Sequence, residues 1–505
     1  MSIIRIITDN VRSSLQSFLQ IEPATTTAFN IKETLDFDAN VYKNQIWYRG
    51  DPDELAQLYS MMPGTSNKTR FWAAVATQGR DIRKIHTGLP AMMVDVLVGL
   101  TLADMNEIDV SDRYAEYWKK TAEKNHFSDL LEGAVTDALV SGDGAFKIST
   151  DPKLSEYPIL EFYPADKVIF HYKRGILTEI EFLTDYGEWQ RQSKDRLTLH
   201  EHYGRGYVLY ELYRGDKEIP LDSFPETKEL QPVHFDDSFM MAVPLKFYKS
   251  NKWKGRGKPL LDNKADAFDA FDEAWSQWMD ALRQGRATKY VPSNMVPRSP
   301  VDGSILKPNP FDNAYVEHEQ PMMEGTTPKI EVVQPAIPVD SYLQTYITAL
   351  DQCLQGVISP STLGIDVKKL DNAEAQREKE KTTLYTRNRI VNRLQKVIPE
   401  LVKAVLHVYQ TASGQTLEDI EVDVPFGEYA NPSFESQVET VTKAKSGGVM
   451  SVEASVEELY GDTRDETWKQ EEVARLKAEQ GVSQVDDLSL SDIDQSYKPP
   501  AGFTR

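Results

Sequence analysis

Residues 265–285 read ADAFDAFDEAWSQWMDALRQG, and residues 340–357 read DSYLQTYITALDQCLQGV. In the first stretch Phe268, Phe271, Trp275, Trp278 and Leu282 recur at intervals of 3, 4, 3 and 4 residues. That spacing lays one apolar seam along a helix. In the second, Leu343, Ile347, Leu350, Leu354 and Val357 recur at intervals of 4, 3, 4 and 3. Ser341, with Gln344 three residues on, offers a capping box at its start. Residues 286–340 hold 9 of the chain's 27 prolines. Proline at that density breaks helices and central strands. Two seamed helices therefore flank a compact, non-helical excursion.

Before these helices the period differs. Residues 81–104 (DIRKIHTGLPAMMVDVLVGLTLAD) predict a buried helix entered near Pro90, and Tyr114 to Leu139 predict another, stopped by Ser-Gly-Asp-Gly at 141–144. Pro158 to Tyr172, Leu177 to Tyr186, Leu197 to Tyr203 and Tyr207 to Tyr213 are short, β-branched and aromatic, and bounded by turn residues. They predict antiparallel strands, with Met241 to Tyr248 (MAVPLKFY) as one more. Residues 145–250 are thus a strand-rich insert in a helical chain. Beyond the second seam, ISPSTLGIDVKKL (358–370) reads as a loop. A long helix follows, capped by Asp371 with Glu374, kinked at Pro399 and stopped by Gly414. Residues 434–480 predict two or three short acidic helices, and the tail from Gly481 is polar.

The chain has 505 residues, enough for roughly three domains. A 40% hydrophobic content is globular. The single cysteine, Cys353, excludes an intrachain disulfide and a multi-cysteine metal site, and suits a reducing cytoplasm. No apolar run approaches the ~18 residues of a membrane span, and MSIIRIITDN is too short and too soon acidic for a signal peptide. The net charge is −21. Residues 415–505 carry 20 acidic and 8 basic side chains, a net of −12. Such acidity argues against tight general binding to phosphate backbones. Two segments reverse the sign: Lys249 to Lys264 has six basic residues and one Asp, and Asp371 to Lys396 has seven basic and four acidic. A charge run alone reads first as a solvated face.

Catalytic chemistry finds little support. His200 and His202 would share one strand face, but no third ligand stands out and no HExxH helix exists, so no metal centre is assigned. Gly255-Arg256-Gly257-Lys258 fits neither phosphate-loop pattern, and no Walker motif or GxSxG occurs. Cys353 beside a seam reads as a small buried hydrophobe. Lys252, Trp253, Lys254, Arg256 and Lys258 interleave cations with an aromatic, as stacking platforms for nucleic acid do. No cofactor is expected.

The order of these parts resembles the portal, or head-tail connector, proteins of tailed bacteriophages, siphophage type. IRKIHTGLPAMMVDVLVGLTL is similar to the family's early wing helix and EFYPADKVIFHYKRGILTEIEFLTDY to its wing strand pair. AVPLKFYKSNKWKGRGKPLLDNKADAFDAFDEAWSQW is similar to the Val-Pro strand, Gly-containing loop and first stem helix. FESQVETVTKAKSGGVMSVEASVEELYGDTRDETWKQEEVARLKAE is similar to the C-terminal helices. The likeness covers roughly residues 40–480.

The resemblance implies an α+β portal fold: wing 1–264, stem helices 265–285 and 340–357, Pro-rich clip 286–339, tunnel loop 358–371, long wing helix 372–412, helical crown 413–480 and a flexible tail 481–505. It implies a ring, usually of twelve copies, at the capsid vertex, through which double-stranded DNA is packaged and ejected. Ser359, Ser361, Thr362, Lys368 and Lys369 would line the channel. Pro297, Asp302, Lys307, Asn309 and Phe311 of the clip would face the terminase large subunit and later the tail adaptor. Scaffold and major capsid protein would be further partners, with no membrane, and the setting would be the virion, with the host cytoplasm during assembly. The stem helices would pack side by side around the channel, each seam finding its partner in a neighbouring copy. Two other readings rank below this one: another virion structural or adaptor protein, and a metal-dependent hydrolase built on His200 and His202.

Overall fold

The chain folds its first helices by local capping. Asp36 accepts the Ala39 amide at 2.8 Å and starts α1 (Phe37–Arg49), and Asp51 accepts the amides of Asp53 and Glu54 to start α2 (Pro52–Met61). Pro90 stands in the first turn of α3 (Leu89–Leu102), whose Met93, Val94 and Leu97 are wholly buried. These are residues of a computed structural model that describes 33, 35–62, 66–75, 82–186, 196–292, 295–296, 298–304, 315–318, 329–365, 373–427, 434–460 and 466–479.

After a short strand β1 (Asp109–Val110), the single helix expected from Tyr114 to Leu139 is two: α4 (Asp112–Lys124) and α5 (Phe127–Ser141). The break has a side-chain cause. Asn125 donates to the carbonyls of Thr121 and Pro158 and accepts the Leu160 amide at 2.8 Å, and His126 takes a left-handed φ of 46°. A local amide network thus outcompetes helix continuation.

Next comes β2 (Asp143–Ser149), central in an antiparallel sheet between β3 (Ile159–Pro164) and, later in the chain, Ala242–Lys246. The strand expected over 158–172 is split by a turn at Ala165–Lys167, after which β4 (Val168–Lys173) joins a different sheet. That sheet runs on through β5 (Ile176–Tyr186), β6 (Leu197–Gly204), β7 (Tyr207–Arg214) and β8 (Lys217–Ile219), all antiparallel neighbours in that order, with β9 (Val233–His234) also on β7. One face carries Ile180, Phe182, Leu199, Tyr203 and Leu212, all buried. Glu201 on the same face is buried but paired with Lys147 of β2 at 3.0 Å. The strand Ala242–Lys246 is β10.

The two seamed segments form α6 (Ala265–Gln284) and α7 (Val339–Leu354). No side chain caps α7, so the Ser341–Gln344 box is not used; the helix begins earlier, after Pro338. Within the Pro-rich segment the described residues form a small sheet: β11 (Thr288–Pro292) lies between β12 (Tyr315–His318, parallel) and β13 (Glu331–Val333, antiparallel). A central strand survives there because its one proline is its last residue.

α8 (Ala373–Ala412) is 40 residues long and continues through Pro399. Its Ile390, Leu394, Ile398, Leu401, Val402 and Val405 are fully buried, and Arg387 reaches Asp104 at 2.6 Å. β14 (Val422–Asp423) pairs with β1. The first compact unit therefore extends to Pro425, past the boundary expected at 413. The second unit contains three short helices, α9 (Phe434–Ser446), α10 (Val452–Tyr460) and α11 (Glu466–Glu479). Among the described residues no helix is long and apolar enough to cross a membrane.

The sheet's edge suggests a test. Burial alone would raise the Asp185 carboxyl, but bonds from Arg196 and Lys167 outweigh it and hold the group at about 2. Its folded value lies below the unfolded one, so its contribution is full above about pH 4 and is lost as pH falls toward 2. Asp185→Asn should cost about 1 kcal/mol at pH 7 after solvent screening, and the difference from wild type should shrink near pH 3 in urea unfolding. An equal loss at both pH values contradicts the ion-pair origin.

Candidate functional site

The antiparallel pair α6 and α7 is the arm on which the site depends. Aromatic rings interleave along it: Phe271 meets Tyr346 at 5.0 Å, Trp275 meets Tyr346 at 5.4 Å, and Trp278 stacks on Tyr342 with planes 10° apart. Phe268, Phe271, Ile347, Leu350 and Leu354 are buried, as their spacing predicts. Trp275 and Trp278 are half-buried, while Leu282 and Leu343 are 44% and 40% exposed. The α6 seam thus packs on Tyr342 and Tyr346 of α7 within one chain, where the sequence looked to a neighbouring copy. Tyr342 and Tyr346 complete the contact off the apolar spacing, which is why the periodicity missed them.

A flank of α6 beside the seam is polar and also buried. Asp272, 1% exposed, accepts from the Thr87 amide at 3.0 Å, the Thr87 hydroxyl at 2.9 Å and the Trp72 indole at 3.2 Å, and contacts His86 Nδ1 at 2.7 Å. Asp269 accepts the amides of Phe71 and Trp72, and Ser276 Oγ accepts the Ile85 amide. Two irregular straps, 66–75 and 82–88, are held to the arm this way. Their amides have no ladder partner, so the helix's carboxylates replace one. At the base, Lys264 donates to the carbonyls of Gln352 and Gln355 at 2.9 and 2.8 Å, meeting the last turn of α7 with a cation. Cys353 is fully buried beside it, and burial pushes its thiol up to about 12, so it is inert as expected.

Part of the basic run that precedes the arm turns inward, while Lys249, Lys252 and Lys254 stay exposed. Arg256 pairs with Asp143 at 2.9 Å, donates to the carbonyls of Val168 and Ala165, and lies over the Phe37 ring. Lys252 and Lys43 both pair with Asp262 at 3.3 Å, and Trp253 packs edge-on to Phe37. These groups hold the loop to the body, so the stacking-platform reading of Lys252, Trp253 and Arg256 is not supported. Gly257 sits so close to Gly142 that a Cβ there would lie 1.9 Å from the Gly142 carbonyl oxygen.

After α7, Ser359 is 2% exposed and its amide donates to the Thr383 hydroxyl at 2.9 Å. Ser359 and Ser361 hydroxyls lie 2.7 Å apart, and Thr362 Oγ1 is 3.0 Å from Thr383 Oγ1. This hydroxyl cluster ties the loop to α8, so Ser359 faces its own chain rather than a channel. Ser361 is exposed and Thr362 half-buried. Asp302 is exposed in a turn, accepting from Ser304. Lys368, Lys369, Pro297, Lys307, Asn309 and Phe311 lie outside the described residues. His200 and His202 share a face of β6, as expected.

The chain matches the family model described as phage portal protein, SPP1 Gp6-like, over residues 38–485, and it belongs to that family. No curated protein matches it. Among solved structures, a chain in the virion of a native gene transfer agent particle is 12% identical with a TM-score of 0.41, covering 91% of this chain and 98% of that one. A chain in the neck of the native particle, computed with C12 symmetry, is 12% identical with a TM-score of 0.40, covering 74% and 91%. A chain in the neck of the empty particle, computed with C6 symmetry, is 13% identical with a TM-score of 0.34, covering 72% and 88%.

Asp272→Ala leaves its donors buried without an acceptor and should cost about 3–5 kcal/mol. Asp272→Asn, which keeps one acceptor oxygen, should lose less. Denaturant unfolding of the two variants checks the order; equal losses contradict an anchoring role for the carboxylate.

Proposed function

We propose that this portal protein assembles as a closed ring, twelve copies in its virion form, and that the ring is the conduit for double-stranded DNA during packaging and ejection. The observation that supports this reading is the arm itself, in a chain that belongs to the portal family. Its aromatic seam is satisfied internally and its base is anchored, yet its free end exposes Leu282, Val339 and Leu343 together. Cyclic assembly covers such a patch on every copy at once. In this reading the body up to α5 and the six-stranded sheet are the wing, α6 and α7 the stem, 286–338 the clip, α8 the long wing helix and the second unit the crown.

The charge suits transport. DNA carries about one charge per 1.7 Å of axis, so a strongly basic wall would hold it. A chain at −21 keeps DNA centred, and Lys368 and Lys369 supply transient phosphate contacts. The clip, with Asp302 in an exposed turn, is the surface for the packaging terminase and then the tail adaptor. Scaffold and capsid protein meet the wing. The family is structural, and mechanical work falls to a separate motor.

Two outcomes test this. Leu282→Lys with Leu343→Lys should leave the fold and unfolding midpoint near wild type but abolish ring-sized particles in sedimentation; rings that persist contradict the patch as an interface. Lys368→Ala with Lys369→Ala should leave rings intact and lower DNA packaging or retention in assembled heads; loss of rings instead contradicts a channel role for that segment.

A further inference from the structure

The second face of the six-stranded sheet carries a cluster that neither the conduit reading nor the fold requires. Register puts His171 of β4 opposite Glu179 of β5, and Glu181 of β5 opposite His202 of β6. Strand alternation then brings His171, Glu179, Glu181, His200 and His202 to one face. One ligand atom from each of His171, Glu181 and His202 lies within 4.8 Å of the other two. Two of these donors already touch, with His171 Nε2 2.7 Å from Glu181 Oε2.

The surrounding groups orient these three. His200 Nδ1 lies 2.6 Å from Glu181 Oε1, leaving Oε2 for His171. Glu179 Oε1 lies 3.0 Å from His202 Nδ1 and 3.8 Å from His171 Nε2, and Tyr207 donates to its other oxygen at 2.7 Å. His202 Nε2 is buried without a hydrogen-bond partner, with Glu211 Oε2 at 3.7 Å. A carboxylate behind one imidazole nitrogen is the outer shell that metal-bound histidine uses.

We propose that this face holds one divalent transition-metal ion, Zn²⁺ by its donor set, through His171, Glu181 and His202, with Glu179 as the outer-shell partner of His202 and the fourth position open to solvent. Imidazole with carboxylate suits Zn²⁺ and its neighbours rather than Ca²⁺ or Mg²⁺, which take oxygen donors. Tetrahedral Zn²⁺, at about 2.0–2.2 Å from N and O, needs the ligand atoms to close by side-chain torsion only. His171 is 44% exposed, so an ion reaches the site from solvent. Bound there, it staples three adjacent strands whose contacts are otherwise ladder bonds and ion pairs. The inference is independent of ring assembly and of DNA transport.

Full-length protein stripped with chelator and titrated with ZnCl₂ should take up one equivalent per chain by calorimetry. His171→Ala or His202→Ala should weaken uptake at least tenfold, and His200→Ala, which only orients Glu181, about tenfold. Co²⁺ added to the wild-type chain should give the intense visible bands of a tetrahedral site, a readout that needs no variant to fold. Absent or non-saturable zinc uptake, uptake unchanged in the His171→Ala and His202→Ala chains, or the pale spectrum of octahedral aqueous cobalt would each overturn the site and leave the cluster a set of ion pairs.

Discussion

Asp272 is the carboxylate on which the arrangement turns. It lies one helix turn from Phe268, on a flank of the seam turned toward the body, and it collects contacts from Trp72, Thr87 and His86 on the two straps. Burying an ionised carboxylate is costly unless its lone pairs are filled, and here they are. The same four groups, left without it, would be orphaned. Body and arm are therefore one mechanical piece: α6 is gripped on its polar face by the straps and on its apolar face by Tyr342 and Tyr346 of α7.

Charge is distributed by the same logic. Of the cations of 249–264, Arg256, Lys252 and Lys264 meet Asp143, Asp262 and the carbonyl end of α7. Lys147 does likewise for Glu201 under the sheet. What remains outside is dominated by acid, and most densely in the last fifth of the chain. A wall of that sign favours sliding over sticking for a polyanion.

Much of this was legible in the sequence because it rests on periodicity. The 3–4 spacing of Phe268 to Leu282 and of Leu343 to Leu354 located both helices, and short β-branched and aromatic runs between turn residues located β5, β6 and β7. What spacing does not carry is partnership. It could not say that the α6 seam would meet Tyr342 and Tyr346, that Asn125 would interrupt a helix by bonding Pro158 and Leu160, or that Ser359 would turn toward Thr383. The third member of the histidine cluster was hidden for a related reason: His171 and His202 are far apart in sequence, and only the register of two hairpins sets them on one face. Lys249, Lys252 and Lys254 of the basic run are exposed, as a solvated face predicts, but the inward turn of Arg256 was hidden because its partner Asp143 comes from another element.

The central claim is that copies of this arm and body close into a ring around a channel. Negative-stain images of the purified wild-type chain, with native mass from the same sample, test it most directly. The account predicts annular particles with a central hole near 690 kDa, twelve copies of 57.3 kDa. A homogeneous 57.3 kDa monomer at every salt and protein concentration, alone and with scaffold present, would contradict it.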